Sequence, residues 1–92
     1  MRVEIKCINK SNRFSPYERI LNIGGINPNG TRWKITVDRA IQGMEQGKWQ
    51  FFVRNGLAQV DVVIAVHIGH KYIKTKNDGI EPNNLLSLPE CP

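Results

Sequence analysis

The sequence predicts an α+β domain: an antiparallel sheet of about five strands, ordered β-β-α-β-β-β, with one helix on one face and an extended C-terminal strap. Three observations predict it. Several short segments alternate apolar and polar residues with period two, the mark of half-buried strands. A single segment places apolar residues at i, i+3, i+4 and i+7, which makes one helical stripe. The segments after it follow one another through tight turns, and such turns join antiparallel neighbours.

Val3, Ile5 and Cys7 alternate with Glu4 and Lys6 and predict the first strand. Asn9 to Pro16 is polar and reads as a loop. Glu18 to Ile23 carries Ile20, Leu21 and Ile23, a second strand that Gly24-Gly25 should end. Asn27-Pro28-Asn29-Gly30 is a turn cluster, and Arg32 to Ile35 is a short extended piece before the helix.

The helix is expected from Val37 to Gln46, with Val37, Ala40, Ile41 and Met44 on its stripe. Thr36 suits the N-cap, Asp38 the positive end of the helix dipole, and Gly47 the C′ position. Gly43 weakens the interior by about 1 kcal/mol relative to Ala, which suggests close approach of helix to sheet.

Trp49, Phe51 and Val53 alternate with Gln50, Phe52 and Arg54, and Asn55-Gly56 then favours a two-residue hairpin turn. Val60, Val62, Ile64 and Val66 form the next face, with Val63 and Ala65 opposite, so a central strand is expected. A turn at His67 to His70 leads to the last strand, Lys71 to Thr75. In the tail, Leu85, Leu86 and Leu88 stand among prolines. Disordered ends are poor in such residues, so the stretch 78–92 reads as a strap pinned to the core with its leucines buried.

Ninety-two residues form one domain, 1–92, too small for a deep catalytic cavity beside its core. The longest apolar run, Val62 to Val66, is far short of the ~20 residues a membrane helix needs. The opening residues lack a signal-peptide core, so a cytoplasmic location is expected, with Cys7 and Cys91 reduced and no membrane partner.

The net charge of +5 is unevenly placed. Residues 1–39 hold eight Lys/Arg against three acids, whereas residues 40–92 hold five of each. Such asymmetry fits an anionic partner, an acidic protein or a nucleic acid; the bland alternative is a solvated basic surface. The candidate partner-binding residues are Arg13, Tyr17, Arg19, Arg32, Trp33, Lys34 and Arg39. Cations that meet phosphates beside aromatics that stack on bases are what single-stranded nucleic acid requires.

Other chemistry is weaker. His67-Ile68-Gly69-His70 spells a nucleotide-binding signature of class I aminoacyl-tRNA synthetases, but here it joins two strands and reads as a turn. Cys7, His67, His70 and Cys91 have the atoms for a zinc site without its spacing, so no metal, cofactor or catalytic residue is expected. The alternatives to a binding or adaptor module are a small metal-dependent protein or enzyme using those Cys and His residues, and a self-associating domain that buries Phe52 and Val63 against a second copy. Monomer and homodimer both stay open.

From Glu18 onward the chain resembles a known family. Glu18-Arg19-Ile20-Leu21-Asn22-Ile23-Gly24-Gly25, Trp33, Ala40-Ile41, Phe52-Val53 and Gly56 recur in order. Val60-Asp61-Val62, Lys71-Tyr72-Ile73-Lys74-Thr75, Asp78-Gly79 and Asn83-Asn84-Leu85-Leu86-Ser87-Leu88-Pro89 complete the pattern. It is similar to the small prokaryotic family catalogued as domain of unknown function 3892. The resemblance implies a compact domain with no established reaction or ligand. It also singles out Lys74, Thr75, Asp78, Asn83 and Asn84, either as a shared binding surface or as residues that fix the tail by side-chain to backbone hydrogen bonds.

Overall fold

The structure is a computed structural model and describes residues 1–11, 19–76 and 83–92. It contains two sheets, not one. A four-stranded sheet has the order β1 (Arg2–Glu4), β5 (Gln50–Asn55), β6 (Ala58–His67), β7 (His70–Thr75). A three-stranded sheet has the order β2 (Cys7–Lys10), β3 (Ile20–Ile26), β4 (Arg32–Thr36). The helix α1 (Val37–Glu45) and a single turn, α2 (Asn83–Leu86), complete the described elements. The expected single five-stranded sheet with one helix is therefore wrong: the described residues are mostly strand, in two sheets.

The error lies at the first strand. Val3 to Cys7 alternates throughout, yet Ile5 N–H donates to the Phe52 carbonyl at 2.9 Å and Lys6 N–H donates to the Gly24 carbonyl at 2.8 Å. Successive amides of an extended chain point to opposite sides. One step along the chain thus leaves the edge of one sheet and joins the edge of the other. Period-two patterning reports which face a side chain takes, not which sheet its backbone bonds. The expectation of a wholly antiparallel sheet also fails, because β1 pairs with β5 in parallel, Val3 opposite Phe51.

Gly24-Gly25 lies inside β3 and is buried, where a strand end was expected. A Cβ at Gly24 would stand 2.8 Å from Cys91 Sγ and 2.9 Å from Cys7 Sγ. A Cβ at Gly25 would stand 2.6 Å from the Glu4 carbonyl oxygen and 2.8 Å from Trp33 Nε1. Here glycine answers close approach rather than a turn.

The helix begins and ends as its sequence directs. Thr36 Oγ1 accepts from Arg39 N–H at 3.2 Å, and Gly47 follows the end with φ +75°. Gly43 does mark a close approach, but the group against it is the Trp49 ring from the segment that leads into β5. In the β5–β6 hairpin Asn55 pairs with Ala58, so the turn is Gly56-Leu57, one residue later than expected. Ile68 and Gly69, both with positive φ, form the turn between the paired His67 and His70.

The core fills the space between the sheets with Ile5, Ile8, Ile23, Phe51, Val53, Val62 and Ile73, and α1 adds Ala40 and Ile41. Leu85 of α2 is fully buried, while Leu86 and Leu88 pack half-buried against the same cluster. The strap is thus helical for one turn before it extends. Beyond it the Pro89 carbonyl accepts from Ile8 N–H at 3.0 Å, and Cys91 N–H donates to the Ile8 carbonyl at 3.0 Å. This lays the tail in parallel along the outer edge of β2, with Glu90 opposite Ile8.

That path brings Cys91 to Cys7, 84 positions away, with a Cα–Cα distance of 4.9 Å, and the two form a disulfide. The expectation that both stay reduced is overturned. Nothing in so wide a spacing could reveal the pairing, which depends on where the tail docks.

Candidate functional site

Three bases of the four-stranded sheet have acids. Arg2 pairs with Asp61 at 3.0 Å, Arg54 with Glu4 at 3.2 Å, and Lys71 with Glu45. These pairs use up three of the acids of the described residues. On the three-stranded sheet Lys6, Arg32 and Lys34 make no ion pair with any described residue.

Those three cations meet around one groove. Alternation along β4 exposes Arg32 and Lys34 and turns Trp33 and Ile35 inward. Lys34 stands opposite Gly24, and Gly24 stands opposite Cys7, so the disulfide lies beside Lys34 across a strand that has no side chain there. The groove holds about 300 Å³ and is lined by Lys6, Arg32 and Lys34, by Ile26 and Trp33, and by the tail from Pro89 to Pro92. The one acidic side chain in this lining, Glu90, accepts from Asn9 Nδ2 at 3.2 Å. The site is therefore a cationic cleft with an apolar wall, close to the lower size range of ligand pockets.

A second cavity of about 200 Å³ opens on the inner side of β4. It is apolar, lined by Met1, Val3, Trp33, Ile35, Trp49 and Phe51 with Asn27 at its side. The Phe51 ring lies 5.9 Å from both the Trp33 and Trp49 rings, so three aromatics build one wall.

Of the residues singled out in the sequence, Arg32, Trp33 and Lys34 come together here. Arg19, half-buried before β3, and Arg39, exposed on α1, line neither cavity. Arg13 and Tyr17 lie outside the described residues, as does Asp78. Thr75 is fully buried in β7 and Lys74 half-buried beside it, opposite Val62 and Val63. Asn83 and Asn84 open α2. Lys74 and Thr75 thus fall on the last strand and are not part of the groove lining.

Sequence reasoning missed Lys6 and the tail residues of the lining. Lys6 was legible as a polar position of an alternating segment; the tail was not, since only the docked path puts it there. Among the described residues no three His, Cys, Asp or Glu side chains gather as metal ligands. The cysteines are bonded to each other, and His67 and His70 sit at the β6–β7 turn. Phe52, the surface suggested for a second copy, is buried beneath its own chain's guanidiniums, with Arg2 Cζ 4.8 Å and Arg54 Cζ 5.9 Å from the ring centroid.

A family model described as "Protein of unknown function (DUF3892)" matches residues 4–89 of the chain. No curated protein and no solved structure matches it.

Proposed function

The chain belongs to this family of proteins of unknown function, and from its surface we propose that it is a binding module for an anionic partner, held at the groove of Lys6, Arg32 and Lys34. One observation carries the reading: three cations converge on one cleft, and no described acid pairs with them. Arg2, Arg54 and Lys71 are by contrast each matched by an acid.

An acidic protein segment fits better than a nucleic acid. Single-stranded nucleic acid binding needs an aromatic face on which bases stack. The aromatic of the lining, Trp33, is half-buried, with its indole edge against Gly25 and its ring beside Phe51.

No described helix is long and apolar enough to cross a membrane. The Cys7–Cys91 bond favours an oxidising compartment over the reducing cytoplasm expected from the sequence, because disulfides persist chiefly where thiols are not kept reduced. Alkylation of the chain taken directly from its native cells, read by mass, reports which state it holds there.

Titration with polyglutamate and with a single-stranded oligonucleotide at several salt concentrations tests the function. Polyglutamate should bind more tightly, and its affinity should fall steeply as salt rises, since exposed charges are screened. Reversal of the cluster in the K6E/R32E/K34E variant should abolish binding while its circular dichroism stays native. Binding that ignores salt and survives the reversal overturns the proposal.

A further inference from the structure

We infer that the partner is an extended peptide, alternately acidic and apolar, which adds as a further strand to the edge of β4 that the described residues leave open. The inference deepens the anionic-partner reading and rests on it, because the same Arg32 and Lys34 take part.

Backbone geometry supplies the first observation. The Gly24 carbonyl accepts from Lys6 on the β2 side. In an extended strand the neighbouring residues turn their groups the other way, so Ile23 and Gly25 bond toward β4, where they face Ile35 and Trp33. The amides and carbonyls of Arg32 and Lys34 therefore point off the sheet. The strand order places β4 at an edge, and no described residue takes up those groups. The opposite edge of the same sheet, β2, is covered by Pro89 to Cys91 of the tail. Only one edge of this sheet is thus closed from within the described chain.

Side-chain chemistry supplies the second. A strand laid on β4 sends its side chains alternately to the two faces of the sheet. On the outer face they would stand beside Arg32 and Lys34, which asks for carboxylates. On the inner face they would enter the cavity of Met1, Val3, Trp33, Ile35, Trp49 and Phe51, which asks for aliphatic groups. Main-chain bonds to the edge give affinity in such strand addition, and alternate pockets give specificity. A second copy of this chain is a poor occupant, since joining two β4 edges brings Arg32 and Lys34 against their own like charges.

The probes are a synthetic peptide alternating glutamate and valine, and a peptide of the same composition with its glutamates and valines in separate blocks. Both tryptophans of the chain, Trp33 and Trp49, line the inner cavity, so intrinsic fluorescence reports its occupation. The alternating peptide should bind on the order of tenfold more tightly than the blocked one. It should shift the tryptophan emission to the blue and slow the hydrogen exchange of the Arg32 and Lys34 amides. The K34P variant, which removes one edge donor and leaves the β3 pairing intact, should lose this preference. Equal binding of both peptides with the edge amides unprotected overturns strand addition and leaves the anionic groove standing. No binding of either peptide or of polyglutamate at low salt overturns both.

Discussion

Reduction of the Cys7–Cys91 disulfide should cost this domain a large share of its stability. The bond joins positions 84 apart, so it closes nearly the whole chain into a loop. Chain-entropy bookkeeping for a loop of that length gives about 4.5 kcal/mol at room temperature. A domain of 92 residues has a total stability of roughly 5–14 kcal/mol. Reduction thus removes at least about a third of the stability. With about 4–8 °C of melting temperature per kcal/mol at this size, the midpoint should fall by about 18–36 °C. The reduced chain still keeps the buried Leu85 and the two hydrogen bonds between the tail and Ile8, so it should start from a native-like fold. Thermal and urea unfolding followed by far-ultraviolet circular dichroism, with and without dithiothreitol, measures the difference. A Cys7→Ser/Cys91→Ser double variant serves as a reductant-free control. Midpoints that coincide in the oxidised and reduced forms would show that the tail does not depend on the covalent link.

Three further changes test the packing. Leu85→Ala should lower stability by about 3 kcal/mol, since the side chain is fully buried between elements of both sheets, whereas Leu57→Ala, at the exposed hairpin tip, should stay within about 0.5 kcal/mol of wild type in the same urea titration. Gly43→Ala should destabilise by about 1–3 kcal/mol despite the better helix propensity of Ala, because the new methyl meets the Trp49 ring; a higher melting temperature would refute that contact. Gly25→Ala sets a Cβ against the Glu4 carbonyl and the Trp33 indole, so it should disturb the junction of the two sheets and shift the tryptophan emission, and an unchanged spectrum and melt would count against the close approach.

Local signals in this sequence were legible wherever one element contains its own reasons. The α1 stripe, its Thr36 cap and its Gly47 stop all lie within a dozen residues and appear as expected. So does the inward face of Phe51 and Val53, because alternation alone decides it. The failures were features settled between distant segments, although the docking of Leu85 onto the core, also long-range, was foreseen from the leucines of the tail. The handover at Ile5 and Lys6, the parallel β1–β5 pair and the Cys7–Cys91 bond each need a partner far along the chain. Gly24-Gly25 shows the ambiguity most directly. A glycine pair after an apolar run is an ordinary turn signal, yet here Cys7, Cys91, Glu4 and Trp33 from four other segments require the missing side chains.

The candidate site follows the same division, and this decides how the charge asymmetry should be understood. In the sequence the excess of base over the first 39 residues looks like a property of a stretch. In the fold three of its bases gather at one groove. Arg2 belongs to that stretch but crosses to the four-stranded sheet and is neutralised by Asp61, from the balanced half of the chain. Lys6, four residues later, falls on the other side of the handover and has no described acid to meet. Arg2 and Lys6 thus part company at the step from Ile5 to Lys6. If binding depends on this partition, Arg2→Ala should leave polyglutamate affinity nearly unchanged, because it removes a cation already paired at the surface. Lys34→Ala should weaken it and flatten its salt dependence, because it removes one of the three that are not. Equal losses from the two substitutions would mean that the partner senses total charge and not the groove.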